Sequence, residues 1–448
     1  MARAAGFWHG RSWTPPAAVA LCAVALGGFW WWSADATSAG YGLRGHPPLY
    51  GIVAPRWGSG AVLALLLGSG CALLAARAPR GPRGLVVLVP AALLASAAVN
   101  SIRGLGDAAR SLQPSTRFPD YGLDAGVLDS VGAHAWLRDF PDLYAQLRSP
   151  HTRSHPPGAL LLYETLRDLP GGVVTGAVVM AVLTVLMAVP AYVLVSSLVG
   201  PRAAFGGAAL VAFSPAVLTF ALTSLDGVFA TVLASCAAVL AVSAQRGSWL
   251  GALAGGFALG LSTFLTYAGA FVAIALGLYV LMTLRGPSLV RWVTAATGGA
   301  LGAVLLLRLV GFDLLACYAA VDKDLETTRR VGYWVLGTPA VYLMALGVPL
   351  AALALLRLGA RRPPLLPLAL LAPMLVFALL PASITGLVPG EIERTWMFTM
   401  PVTAVLGADR LHSWEEGSGP WRGRLLAALL LIAVTQAVLV NGQYDTYW

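Results

Sequence analysis

Two short runs of reactive side chains interrupt an otherwise apolar chain. The first is Arg117-Phe118-Pro119-Asp120-Tyr121-Gly122-Leu123-Asp124. The second is Ser149-Pro150-His151-Thr152-Arg153-Ser154-His155-Pro156-Pro157-Gly158. A carboxylate such as Asp120 or Asp124 can take the proton from an attacking hydroxyl if it lies within hydrogen-bonding reach. An arginine, with forked donors and a permanent charge, suits a phosphate. The arginines placed for that are Arg394, in Glu391-Ile392-Glu393-Arg394-Thr395-Trp396, the pair Arg329 and Arg330 beside Lys323, and Arg308. Each candidate has a plainer reading beside it. Pro-Asp-Tyr-Gly also makes a good turn, and an arginine near a helix end can simply snorkel to the interface. The four-residue gap between His151 and His155 resembles a metal pair, but Pro150 and Pro156 oppose the continuous helix that would align them, so no metal site is expected.

The elements that position these groups follow from composition. Of 448 residues, 58% are hydrophobic and 11% charged, against about 25% charged in soluble domains. A water-soluble surface cannot be built from this sequence. The net charge of +9 comes from short arginine clusters between apolar stretches. That pattern fits juxtamembrane anchors and not a nucleic-acid partner. Cys22, Cys71, Cys236 and Cys317 show no CxxC or zinc-like spacing, so neither a structural disulfide nor a cysteine metal site is expected.

A spanning helix takes about 20 mostly apolar residues. Segments meeting that are 16–33, 58–76, 85–101, 172–199, 203–221, 224–244, 249–266, 268–284, 290–311, 335–357, 364–381, 396–409 and 423–440. The expected fold is therefore all-α and polytopic, with about 13 spans. Segment 16–33 ends in Trp30-Trp31-Trp32 and lacks a small-residue cleavage site, so it reads as a retained helix. With the N-terminus cytoplasmic, the inner loops hold Arg77, Arg80 and Arg83, then Arg202, Arg246, Arg285 and Arg291, Arg357, Arg361 and Arg362, and Arg410, Arg422 and Arg424. All of the 20 carboxylates except Asp409, Glu415 and Glu416 fall on or near the other face. That face carries a long segment, 102–171, and two medium ones, 312–334 and 382–395. Loops on a rigid scaffold are where function concentrates, and acidic residues avoiding the cytoplasmic flank is the duller account.

Within the long segment, Val131, Ala135, Trp136, Phe140, Leu143, Tyr144 and Leu147 recur at helical spacing, with Pro141 expected to divide them into two short amphipathic helices. Pro156 and Pro157 then fix an extended approach and a clean first turn where the chain returns to the membrane.

An outer loop that opens with an Asp and closes with His-Pro-Pro resembles the first outer loop of the GT-C superfamily of membrane glycosyltransferases. More narrowly it is similar to the protein O-mannosyltransferase and aminoarabinose-transferase branch, among its poorly characterised bacterial members. Trp136-Leu137-Arg138-Asp139-Phe140, His151 and Ser154–Gly158 carry the likeness. Thr223-Ser224-Leu225-Asp226-Gly227-Val228-Phe229 and the stretch 259–267, with Gly260, Ser262 and Tyr267, follow in the same order. Leu265-Thr266 stands where that family often has a lysine. The likeness covers residues 85–285. It makes 1–84 two additional N-terminal helices, 85–311 the core with the catalytic loop 102–171, and 312–448 a C-terminal set of helices. A second His-Pro-Pro, His46-Pro47-Pro48, reads as coincidental or structural.

The resemblance implies transfer of a hexosyl or pentosyl unit from a polyprenyl-phosphate carrier to a glycan, lipid or protein acceptor on the outer face of the cell membrane. It implies Asp120 as general base, Asp124 as second choice, and Arg394, or Arg329 and Arg330, on the carrier phosphate. His155 and Arg153 would position donor or base, and Asp226 would pair with a site arginine. No cofactor is expected, a divalent cation being used in some branches of the superfamily. Three rivals stand beside this reading: a transporter or lipid-linked glycan flippase, a non-catalytic scaffold, and a glycan ligase or polymerase of another fold.

Overall fold

The computed structural model describes residues 15–38, 51–108, 112, 121–321, 331–358, 392–417 and 424–446. Long apolar stretches without a strand period become helices. The first are α1 (Pro15–Ser38), α2 (Ser59–Arg77), α3 (Leu85–Ser101) and the short α4 (Leu105–Ala108). The segment before the bundle proper holds α5 (Ala125–Leu143), α6 (Pro150–Ser154) and α7 (Gly158–Arg167). Then come α8 (Gly172–Val185), α9 (Ala188–Leu198), α10 (Pro201–Ala212), α11 (Pro215–Phe220), α12 (Asp226–Arg246), α13 (Trp249–Ser262), α14 (Gly269–Thr283) and α15 (Gly286–Leu309). The rest are α16 (Leu314–Ala320), α17 (Val331–Leu346), α18 (Val348–Leu358), α19 (Ile392–Thr395), α20 (Met400–Gly417) and α21 (Arg424–Gln443).

Six stretches among the described residues are long and apolar enough to cross a membrane: Ser59–Arg77, Pro82–Ser101, Gly172–Leu198, Asp226–Arg246, Gly286–Leu309 and Arg424–Gln443. The chain is a helical membrane protein. In α12 72% of the apolar window is buried against 17% in α15, so α12 is central and α15 peripheral. Helix α12 starts at Asp226, whose charge complements the N-terminal dipole, and stops at Gly247 in the left-handed conformation after Arg246.

The departures from the expected spans have local causes. Segment 203–221 is not one helix. Pro215 cannot continue the ladder from α10, so the chain breaks at Phe213-Ser214 and restarts as α11, where the Ser214 hydroxyl accepts from the Val217 amide. Segment 335–357 turns by 113° between α17 and α18. Gly347 makes that corner at φ 86°, and a Cβ there would come within 2.6 Å of Pro215 Cδ. The opened ladder is closed by one side chain. Gln436 of α21 donates to the Met344 carbonyl and accepts from the Val348 amide, each at 2.9 Å. Segment 16–33 lies within α1, a 24-residue helix. Segments 249–266 and 268–284 form the 14- and 15-residue helices α13 and α14. Segment 396–409 opens the largely buried α20, and 364–381 lies outside the described residues.

One small strand pair departs from the all-α expectation. Strand β1 (Gly51–Val53) runs antiparallel to β2 (Tyr444–Thr446). Arg103 fastens it, donating to the carbonyls of Asn441 at 2.8 Å and Ala54 at 2.9 Å.

Candidate functional site

Where α12 begins, the polar residues of three distant segments meet. Arg394, in α19, gives Nη1 to Asp226 Oδ2 at 2.7 Å. Its Nη2 lies 3.3 Å from His151 Nδ1. Ser224 donates its hydroxyl to the same Asp226 oxygen at 2.9 Å and accepts from the Asp226 amide at 3.2 Å. His155 brings Nε2 to 3.8 Å from the other oxygen, Oδ1. The ion pair is deeply placed, with the two side chains 6% and 7% exposed. Two charges so enclosed persist only if further hydrogen bonds offset their desolvation, and Ser224, His151 and the α12 dipole supply these.

The hydrogen bonds also assign protons. A guanidinium only donates, so His151 Nδ1 is an acceptor and the ring carries its proton on Nε2. His155 Nδ1 lies 3.1 Å from the His151 carbonyl, which only accepts. Nδ1 therefore carries a proton, and Nε2 faces the Asp226 carboxylate.

The histidines are held by the loop that precedes them. Ser149 caps α6, accepting from the His151 and Thr152 amides, and Pro150 occupies the first helical position. Asp124 is fully buried, and its two oxygens take the amides of Arg148 at 2.8 Å and Ser149 at 3.0 Å. That clamp ties the 121–124 turn to the start of α6. Trp136, also fully buried, donates its indole N–H to the Pro157 carbonyl at 3.0 Å. Gly158 opens α7 where any Cβ would meet the Phe264 carbonyl at 2.3 Å, so only glycine admits this approach. Tyr121 then packs its ring against those of His151, His155 and Tyr163 at 5.7–5.9 Å. Phe229 closes the far side of His155 at 5.5 Å.

The interruption in this segment falls at a different residue from the one expected. Helix α5 kinks at Gly132, at φ 76° and ψ 159°, while Pro141 rides in the last turn of its second piece. Lower on the same wall, Glu164 in α7 is buried beside Arg167, whose Nη1 reaches its Oε1 at 2.9 Å. Burial pushes the Glu164 carboxyl up to about 7, and Arg167 offsets only part of that. The Tyr267 hydroxyl is buried with no partner among the described residues, its ring 5.4 Å from that of Tyr318. Burial pushes that phenol up, so it stays protonated.

Of the residues expected to form a site, the structure brings together His155, Asp226 and Arg394. Arg153 stands apart, its guanidinium 5.2 Å over the Tyr144 ring. Arg308 lies in the last turn of α15, exposed and 3.4 Å from Asp313. Asp120, Lys323, Arg329, Arg330 and His46 lie outside the described residues. Among the described residues no three His, Cys, Asp or Glu side chains converge to hold a metal. Two participants were not foreseen as site residues, His151 and Ser224. The Ser149-Pro150 cap, which fixes His151 within one turn, was the available signal. No protein-family model matches the chain, and no curated protein is similar enough to match it.

Proposed function

We propose that the chain is a membrane glycosyltransferase of the GT-C kind. It moves a sugar from a polyprenyl-phosphate carrier to an acceptor hydroxyl on the outer face of the cytoplasmic membrane. The thirteen-segment topology with a cytoplasmic N-terminus belongs to this proposal. The observation that carries it is the buried meeting of Arg394, Asp226, His151 and His155 at one end of the helices, walled by Tyr121, the residue next to Asp120 in the chain.

In the proposed reaction Asp120 takes the acceptor proton as its oxygen attacks the anomeric carbon. The bond from that carbon to the carrier phosphate breaks, and polyprenyl phosphate leaves with the bonding pair. Arg394 receives the charge growing on the phosphate. Asp226 and Ser224 hold the guanidinium in place beforehand, so little reorganisation accompanies the step. Asp124 acts as the clamp of the loop that carries Asp120, because both of its oxygens are taken by backbone amides.

The test is release of free polyprenyl phosphate from a panel of polyprenyl-phosphate sugars with an envelope acceptor fraction. Asp120→Asn and Arg394→Lys should each lower turnover at least about a hundredfold, with donor still bound by Asp120→Asn. Absence of turnover with every donor overturns the proposal. A second reading, a transporter, draws on the breaks at Ser214 and Gly347, since discontinuous helices line substrate paths in transporters. It predicts donor movement across liposomes without cleavage.

A further inference from the structure

At the opposite end of the bundle lies a cleft of about 530 Å³ that the reading above does not use. Arg80 lines it from the turn between α2 and α3, Tyr192 from α9, Arg202 from the start of α10, and His412 and Glu415 from the last turns of α20. Its charges are unequal, two guanidiniums against one carboxylate. Glu415 meets Arg80 at 3.2 Å, and Arg80 also lies 5.8 Å over the Phe205 ring, which fixes it. His412 is turned to Glu416, Nε2 to Oε1 at 3.2 Å. Arg202 is exposed and makes no ion pair among the described residues. It follows Pro201 at the N-terminus of a 12-residue helix, where the dipole adds positive potential.

The wall beside this basic mouth is apolar. Val189, Tyr192 and Val193 share one face of α9 by their spacing. Val189 is 38% and Val193 37% exposed. A tyrosine between an apolar stripe and a basic mouth sits as interfacial aromatics do. A soluble anion has no use for the stripe, whereas an acyl chain does.

We propose that this cleft binds the headgroup of an anionic phospholipid, with Arg202 and Arg80 on the phosphate oxygens and the Val189–Val193 stripe against an acyl chain. Basic pockets between helix ends are suited to such headgroups. The inference stands whether or not the chain is a glycosyltransferase.

The experiment is native mass spectrometry of the full chain in neutral detergent, titrated with dioleoylphosphatidylglycerol, dioleoylphosphatidylcholine or inorganic phosphate. The expected result is a one-to-one phosphatidylglycerol adduct that phosphatidylcholine forms more weakly and millimolar phosphate does not displace. Arg202→Gln should weaken it about tenfold, a loss of one charge-assisted contact. Arg246→Gln, an exposed arginine at the same end but outside the cleft, should leave it unchanged. Binding unaffected by Arg202→Gln, in protein that melts like the wild type, overturns the proposal. Full displacement by inorganic phosphate overturns it too, and makes the cleft a site for a soluble anion.

Discussion

Asp124 and Asp226 are both buried carboxylates near the same loop, yet they are held in opposite ways. Asp124 spends both oxygens on main-chain amides, those of Arg148 and Ser149. Asp226 is held by side chains: Arg394, Ser224 and, farther off, His155. An amide in a packed loop cannot leave, so Asp124 is part of the fold. A guanidinium or hydroxyl on a side chain is not locked into the backbone, so in the proposed reaction Asp226 can serve to hold Arg394 for the phosphate. Burial alone does not separate a structural acid from a working one; the nature of the partners does.

The largest effect that tests this contrast is expected at Asp226. Asp226→Asn leaves the Arg394 charge enclosed, which should cost about 3–5 kcal/mol of stability, read as a lowered melting midpoint. Adding Arg394→Gln should restore much of that stability while turnover stays lost. Next is Asp124→Asn, which presents an NH2 group to one amide and should cost about 1–3 kcal/mol. No second side-chain substitution should rescue it, because its partners are backbone. If one does, the contrast fails.

Glu164 gives a smaller, pH-dependent signal. Its carboxyl sits at about 7 in the folded chain against an ordinary 4.5, so folding binds its proton more tightly. Its contribution is fully present below about 4.5 and fades as pH rises through 7. Melting midpoints followed from pH 5 to 8 should therefore fall less in Glu164→Gln than in wild type. The smallest effect belongs to Arg308→Gln. An exposed arginine paired to Asp313 at 3.4 Å should shift stability by less than about 1 kcal/mol, and turnover should not change.

How far the sequence reveals this arrangement depends on range. In the Ser149–Gly158 run the Ser149 cap that opens α6 was not read, while the clean start of α7 after Pro156-Pro157 was legible, because prolines act within a turn. The long apolar stretches were legible as helices for the same reason. The breaks at Ser214 and Gly347 were not, because Pro and Gly inside apolar segments are compatible with unbroken spans. What decides there is contact, Gly347 against Pro215 and Gln436 across the corner. The pairing of Asp226 with Arg394 joins residues 168 positions apart, and nothing local relates them. An acid at a helix start and an arginine before another helix were visible separately, and their meeting was not.

The corner at Gly347 also orders events during synthesis. The Met344 carbonyl and the Val348 amide emerge from the ribosome well before Gln436, which lies 88 residues beyond Val348. Until that glutamine arrives, the Val348 amide at the corner lacks its partner, which an apolar surround penalises, while the Met344 carbonyl keeps the Gly347 amide at 3.1 Å. Gln436→Leu should then lower the yield of correctly inserted chain more than it lowers the stability of the molecules that do assemble.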